Sequence, residues 1–251
     1  MAEVFWTWPP VTRTLTAATL ALSVLVHTQT IGFVAVAYIP QFIYRVTKLP
    51  EIWRFISPFL ITGPKFGILM DPYFLFTYGS GLERDSPRFT EIGSFFVYVA
   101  FVMALIVALC GQLLGGYMFL QPLILAFAYT FSQDNPNTNI TIYILTFPAK
   151  YLPAALVFLT FIMEGPTPAK HQLTGLVAAH AYDFLTRIWP TFGGGRNYIK
   201  TPNMVKRWFG GDASRPVVNR GYGTAVNARQ DPPASTGWTG QRGPGRRLGG
   251  D

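Results

Sequence analysis

Long apolar runs, separated by short polar or proline-bearing stretches, fill the first three quarters of this chain. An α-helix needs about 20 apolar residues to cross a hydrocarbon core of roughly 30 Å. Inside lipid every backbone N–H and C=O must find its partner within the segment, which a helix achieves by itself. Charge is correspondingly scarce: 13% of the 251 residues are charged and 50% are hydrophobic, against about 25% charged in a soluble domain. The pattern predicts an all-α membrane protein.

Six spans are expected: Leu15–Ala37, Phe66–Gly81, Ile92–Leu114, Tyr117–Phe131, Ile140–Met163 and Lys170–Trp189. The fourth has only about 15 residues and reaches about 22 Å, short of the hydrocarbon thickness. A short interfacial helix carrying Phe5, Trp6 and Trp8 precedes the first span. The first loop, Tyr38–Lys65, is broken by four prolines yet rich in Phe, Ile and Trp, as expected of a segment dipping into the interface. Beyond Trp189 ten Lys and Arg face three Asp. No nucleic-acid recognition fold accompanies this tail, so it reads as a retained cytosolic segment. An even span count then puts both termini in the cytosol. The division is a membrane domain over 1–190 and a basic tail over 191–251, expected to be disordered after 210. Cys110, the single cysteine, excludes an intrachain disulfide. Neither a metal nor a cofactor is expected.

The stretch with most chemistry lies in the last run. Gly175 and Ala179 are one helical turn apart, so a neighbouring backbone can approach closely there, and His180 adjoins that face. Asp183 follows three positions on. Ionisable groups within spans are costly in hydrocarbon and normally face the bundle interior, water or a partner. Asp71, Gln121, Lys150, His180 and Asp183 are therefore the candidates for lining a polar cavity. For Lys150, snorkelling to an interface explains the residue equally well.

The Trp53-Arg54 pair in the first loop, together with Gly175, Ala179 and His180 in the last span of six, resembles the rhomboid superfamily. In its proteases, the histidine activates a serine in a Gly-x-Ser-Gly motif on the fourth span. Here no serine occurs between Ser94 and Ser132. Tyr78-Gly79-Ser80-Gly81 lacks the leading glycine and ends the second span, and Thr130 and Cys110 lack the motif context. The flanks narrow the resemblance. Pro10, Thr12 and Arg13, then Tyr78-Gly79-Ser80-Gly81-Leu82-Glu83, then Gly194-Gly195-Arg196-Asn197-Tyr198 with Thr201-Pro202 and Arg207-Trp208, are similar to Derlin signatures. Derlins are catalytically inactive rhomboid relatives of the endoplasmic reticulum membrane.

The resemblance implies a rhomboid-like six-helix bundle that helps move misfolded clients to the cytosol for degradation. It implies a membrane ubiquitin ligase complex, a cytosolic AAA ATPase of the valosin-containing type and membrane lipid as partners, with homo- or hetero-oligomers open. Gly243, Gly245 and Leu248 resemble the tail box that docks this ATPase, although Gln241 stands where a bulky apolar residue is usual. Two other readings stay open, an active intramembrane protease with an unrecognised nucleophile and a small-solute channel.

Asn139-Ile140-Thr141 is the only glycosylation sequon of the sequence, and the expected orientation leaves it in the cytosol. It should carry no glycan in cells. A glycosidase-sensitive mass shift lost on Asn139→Gln would reverse the orientation.

Overall fold

The structure is a computed structural model that describes residues 5–43, 51–64, 66–142, 145–193, 199 and 201–210. Among these residues, six helices longer than three turns dominate. The first, α1 (Pro10–His27), opens on a proline whose missing N–H costs nothing at that position. The next two backbone donors are capped from a distant helix. Glu83 accepts from Val11 N (2.9 Å), Thr12 N (2.7 Å) and Thr12 Oγ1 (2.8 Å). Negative charge at a helix N-terminus also suits its dipole.

α1 ends well before the expected Ala37. The Thr28 hydroxyl bonds back to the Val24 carbonyl at 2.7 Å, and Gln29 adopts a left-handed φ of 59° that reverses the chain. Phe33–Val36 then makes a single helical turn, and Ile52–Phe55 and Ser57–Leu60 form 3₁₀ turns.

α2 (Gly67–Asp85) runs past its expected end and carries Pro72 inside it. α3 (Ser94–Ile106) continues through a π-helical stretch, Val107–Leu113. Together these 20 residues are the one helix, among the described residues, that is long and apolar enough to cross a membrane by length and composition.

α4 (Leu120–Asp134) is the centre of the bundle. Leu123, Leu125, Ala126, Phe127 and Ala128 are all fully buried, the mark of a helix enclosed on every side. It packs against α2, α3 and the two helices that follow.

The expected fifth span, Ile140–Met163, is split. Its first part forms an antiparallel hairpin, β1 (Asn139–Ile142) with β2 (Leu145–Pro148), pairing Ile140 with Phe147 and Thr141 with Thr146. The threonine hydroxyls lie 2.8 Å apart. This small sheet corrects the all-α expectation, and its cause is local. Alternating Ile and Thr on one strand, with Thr and Phe on the other, favour extended pairing, and Pro148 bars a continuous helix. The helix proper is α5 (Leu152–Glu164), whose 13 residues reach about 20 Å.

Gly165, at φ 99°, alone joins α5 to α6 (Pro166–Asp183). Beyond Asp183 the helix continues as a π stretch (Phe184–Ile188) and one more turn (Trp189–Phe192). A last short helix, α7 (Asn203–Trp208), lays Val205 against Gly93 and Trp208 near Phe96, while Lys206 pairs with Glu91 at 2.8 Å.

Apolar side chains also face outward: Leu20 and Val24 on α1, Phe158, Phe161 and Ile162 on α5, and Val177 on α6. Apolar surface spread over several helices fits contact with lipid.

The tightest packing lies between α6 and α4. A Cβ on Gly175 would stand 1.7 Å from the Pro122 carbonyl oxygen, a backbone atom that cannot swing aside. Ala178 and Ala179 are buried beside it. Gly175→Leu should therefore force the helices apart and destabilise the fold by about 3 kcal/mol or more. Thermal unfolding of the detergent-solubilised protein measures this, and an unchanged midpoint would contradict the close approach.

Candidate functional site

The five cavity candidates separate into distinct places, because the helices alternate in direction. The starts of α2, α4 and α6 and the end of α5 meet at one end of the bundle. The ends of α2, α4 and α6 meet at the other.

Asp71 and Gln121 come together at the first end, on a cavity of about 390 Å³. Asp71 is buried, and its Oδ2 accepts from Gly63 N at 2.8 Å. Gln121 Nε2 donates to Glu164 Oε1 at 2.8 Å. Glu164, Gln172, Thr160 and His171 also line the space, alongside Met70, Phe74, Leu156 and Met163. Glu164 was not legible as a site residue, since a glutamate just past an apolar run reads as its polar boundary. The glycine that follows it was the available signal, for it folds the chain back and keeps Glu164 beside α4.

Asp183 lies at the opposite end in a buried ion cluster. Arg88 Nη1 donates to Asp183 Oδ1 at 2.6 Å, and Arg88 Nε pairs with Asp134. Ser86 Oγ donates to Asp134 Oδ2 at 2.6 Å, and Arg187 Nε reaches Asp183 at 3.2 Å. Arg88 thus ties the loop after α2 to the ends of both α4 and α6. The sequence of that loop carries no sign of the cluster. Its members are 46 and 95 positions apart, beyond any local pattern.

His180 is exposed near this end, and its Nδ1 is 2.9 Å from the hydroxyl of Tyr129 on α4. The partner on the fourth helix is thus a phenol. The other groups with nucleophilic atoms are engaged or hidden: Thr130 Oγ1 bonds to Tyr98 and to the Ala126 carbonyl, and Cys110 is fully buried. The serine of Tyr78-Gly79-Ser80-Gly81 turns back to the Thr77 carbonyl at 3.4 Å. Its glycines serve packing, Gly79 against Thr12 and Gly81 against Phe131. Lys150 is exposed and lies 4.9 Å from the Tyr151 ring, on an outer groove between α5 and α6.

In the first loop Arg54 is buried. Its Nη1 donates to the carbonyls of Val34 (2.5 Å) and Ala37 (2.7 Å), and its guanidinium pairs with Glu51 and lies over Phe42. These bonds hold the chain that follows α1 to the 3₁₀ turn of residues 52–55. Trp53 is 56% exposed and is held by its Nε1, which donates to the Ala35 carbonyl at 3.2 Å. An amphipathic ring so placed suits an interface. Gly194, Gly195, Arg196 and Asn197, and the tail positions Gly243, Gly245 and Leu248, lie outside the described residues.

The model of the Der1-like family matches residues 8–203. Derlin-1 of Arabidopsis thaliana is 31% identical over 214 residues, covering 82% of this chain and 76% of the relative. Derlin-1 of Homo sapiens is 28% identical over 217 residues, covering 83% and 82%. Derlin-1.2 of Zea mays is 28% identical over 214 residues, covering 82% and 83%. With most of its length matched, including both the first-loop arginine and the last long helix, this chain belongs to the Der1-like family of Derlins.

Proposed function

We propose that the protein is a non-catalytic, rhomboid-like component of endoplasmic-reticulum-associated degradation, which assists passage of misfolded proteins to the cytosol. The observation that carries this reading is the polar cavity opened among apolar helices in a Der1-like chain. A misfolded, non-helical polypeptide in lipid has unsatisfied backbone and side-chain groups, each costly, and a cavity bearing Asp71, Gln121 and Glu164 offers them partners. The pairing of His180 with Tyr129 supports an inactive histidine, since acyl transfer needs a nucleophile beside its base.

On this reading, the chain crosses the endoplasmic reticulum membrane six times with both termini cytosolic. The membrane domain spans 1–190, and the basic segment 191–251 meets the cytosolic machinery. Within that segment, Gly194, Gly195, Arg196 and Asn197 form the juxtamembrane block, and Gly243, Gly245 and Leu248 engage an AAA ATPase. A membrane ubiquitin ligase acts beside it, and short helices thin the surrounding bilayer.

Two measurements test the proposal. A photoreactive residue at position 121, in the cavity, should crosslink a degrading client in cells. The same residue at position 158, on the outer face of α5, should crosslink lipid. Equal client capture at both positions would remove the cavity from the pathway. Separately, His180→Gln keeps a hydrogen-bonding side chain but does not titrate near neutral pH. Client half-life should change less than about twofold, whereas a base in acyl transfer would lose several orders of magnitude. Abolished turnover with normal protein levels would restore the protease reading.

A further inference from the structure

The hydrogen-bonding atoms around the cavity are mostly acceptors, and they converge. A Cβ built on Gly63 would stand 3.2 Å from Gln121 Nε2, 3.5 Å from Asp71 Oδ2 and 3.5 Å from Glu164 Oε1. The carboxylates of Asp71 and Glu164 are therefore no further apart than twice that last distance. Among the described residues each has one donor, Gly63 N for Asp71 and Gln121 Nε2 for Glu164. A carboxylate accepts up to about four hydrogen bonds, so most of their capacity is unused among the described residues.

A separate observation points the same way. Gln172, also on the cavity wall, is only 4% exposed, and its Oε1 has no hydrogen-bond partner among the described residues. A buried acceptor left unpaired is costly and calls for a donor. The described lining includes no lysine or arginine, and His171 is its one basic side chain. The remaining wall is largely apolar and flexible, with Met70, Met163 and Leu156 prominent. Thioether side chains adapt to varied shapes.

We infer that this cavity is a binding site for the basic side chain of a client segment, above all lysine. The ammonium donates to Asp71 and Glu164, and the four-carbon stem lies on Met70, Leu156 and Met163. The inference rests on the client-handling reading above and supplies its substrate class. An ammonium carries three donors and no acceptor, which matches two carboxylates whose acceptor capacity is largely unused among the described residues. Its stem is apolar and its head charged, as the walls and the carboxylate cluster are. A divalent cation is the weaker match. The described residues hold no group of three His, Cys, Asp or Glu side chains able to ligate a metal, and the methionine wall would be idle. The gain for a client is large, because a lysine left in hydrocarbon is among the costliest residues a membrane segment can carry.

The test uses the full-length protein in two settings. In phosphatidylcholine nanodiscs the probe is dansylcadaverine, a primary amine on a five-carbon stem, with N-acetylated dansylcadaverine as its neutral counterpart and protein-free nanodiscs as the blank. The amine should bind about tenfold more tightly than its acetylated form, and Asp71→Asn or Glu164→Gln should each erase that preference. Glu164 is exposed, so Glu164→Gln keeps the fold even where Asp71→Asn does not. In cells, two single-span clients differ only by lysine or glutamine at one membrane position. Glu164→Gln should lengthen the half-life of the lysine client severalfold more than that of the glutamine client. Equal binding of both probes, together with equal turnover of both clients in wild type and variants, overturns the amine site while leaving client removal standing. If neither half-life depends on the chain at all, the client-handling reading fails, and the dansylcadaverine preference alone decides whether the amine site exists.

Discussion

Gly175 lets the backbone of α6 lie directly on the carbonyl of Pro122, and the rest of the bundle depends on that approach. Pro122 is the third residue of α4, where its missing N–H would have had no intrahelical acceptor. The contact sets the height of α6 against the central helix. Once it is fixed, Gln121 beside Pro122 reaches Glu164 at one end, and Tyr129 reaches His180 two turns on. At the far end Asp134 and Asp183 come close enough to share Arg88. A single small residue thus places three polar clusters, because α4 is a rigid, buried rod that transmits position along its length.

Several charges among the described residues gather near helix ends with specific partners. Glu83 covers the free donors at the start of α1, and Arg54 covers carbonyls just beyond its end. Both act across loops, Glu83 pinning the start of α1 and Arg54 the segment of Val34 and Ala37 that follows it. The Arg88 cluster does the same for α4 and α6. Buried pairs of this kind contribute little net stability over apolar packing, yet losing one member is costly because it strands the other charge. Their value here is specificity: they select one arrangement of mutually similar apolar helices.

The helical bundle was readable from the apolar runs, and so was the packing role of Gly175, because small residues one turn apart need no distant information. The borders were less legible. The run from Ile140 to Met163 is apolar throughout, and hydropathy alone cannot separate a β-hairpin of isoleucine, threonine and phenylalanine from a buried helix. Pro148 and Pro153 were the available clues. The left-handed turn at Gln29 cut the first span short, although the polar tetrad His27, Thr28, Gln29 and Thr30 had marked the spot. The cavity was half legible. Asp71 and Gln121 stood out as polar residues in apolar runs, while Glu164 and Gln172 sat at span edges where polar residues are ordinary. The ion cluster was invisible, since only the folded chain brings Arg88 to Asp183.

Short helices give the cavity its surroundings. α4 reaches about 22 Å and α5 about 20 Å, both below a hydrocarbon core of roughly 30 Å. The shortfall of α4 is harmless, because protein surrounds it and no lipid has to match its length. α5 is different: Phe158, Phe161, Ile162 and Met163 face outward, so in the proposed orientation the bilayer must thin along it or water must enter. Met163 and Glu164, the last residues of α5, also line the cavity. On the proposed reading, the edge where lipid would be most compressed is therefore the edge on which the acceptor cluster opens. On that reading, a client side chain entering there would leave a bilayer already thinned and meet the Glu164 carboxylate in the last turn of the same helix, with Asp71 of α2 nearby, so the step from lipid to polar partner would be short.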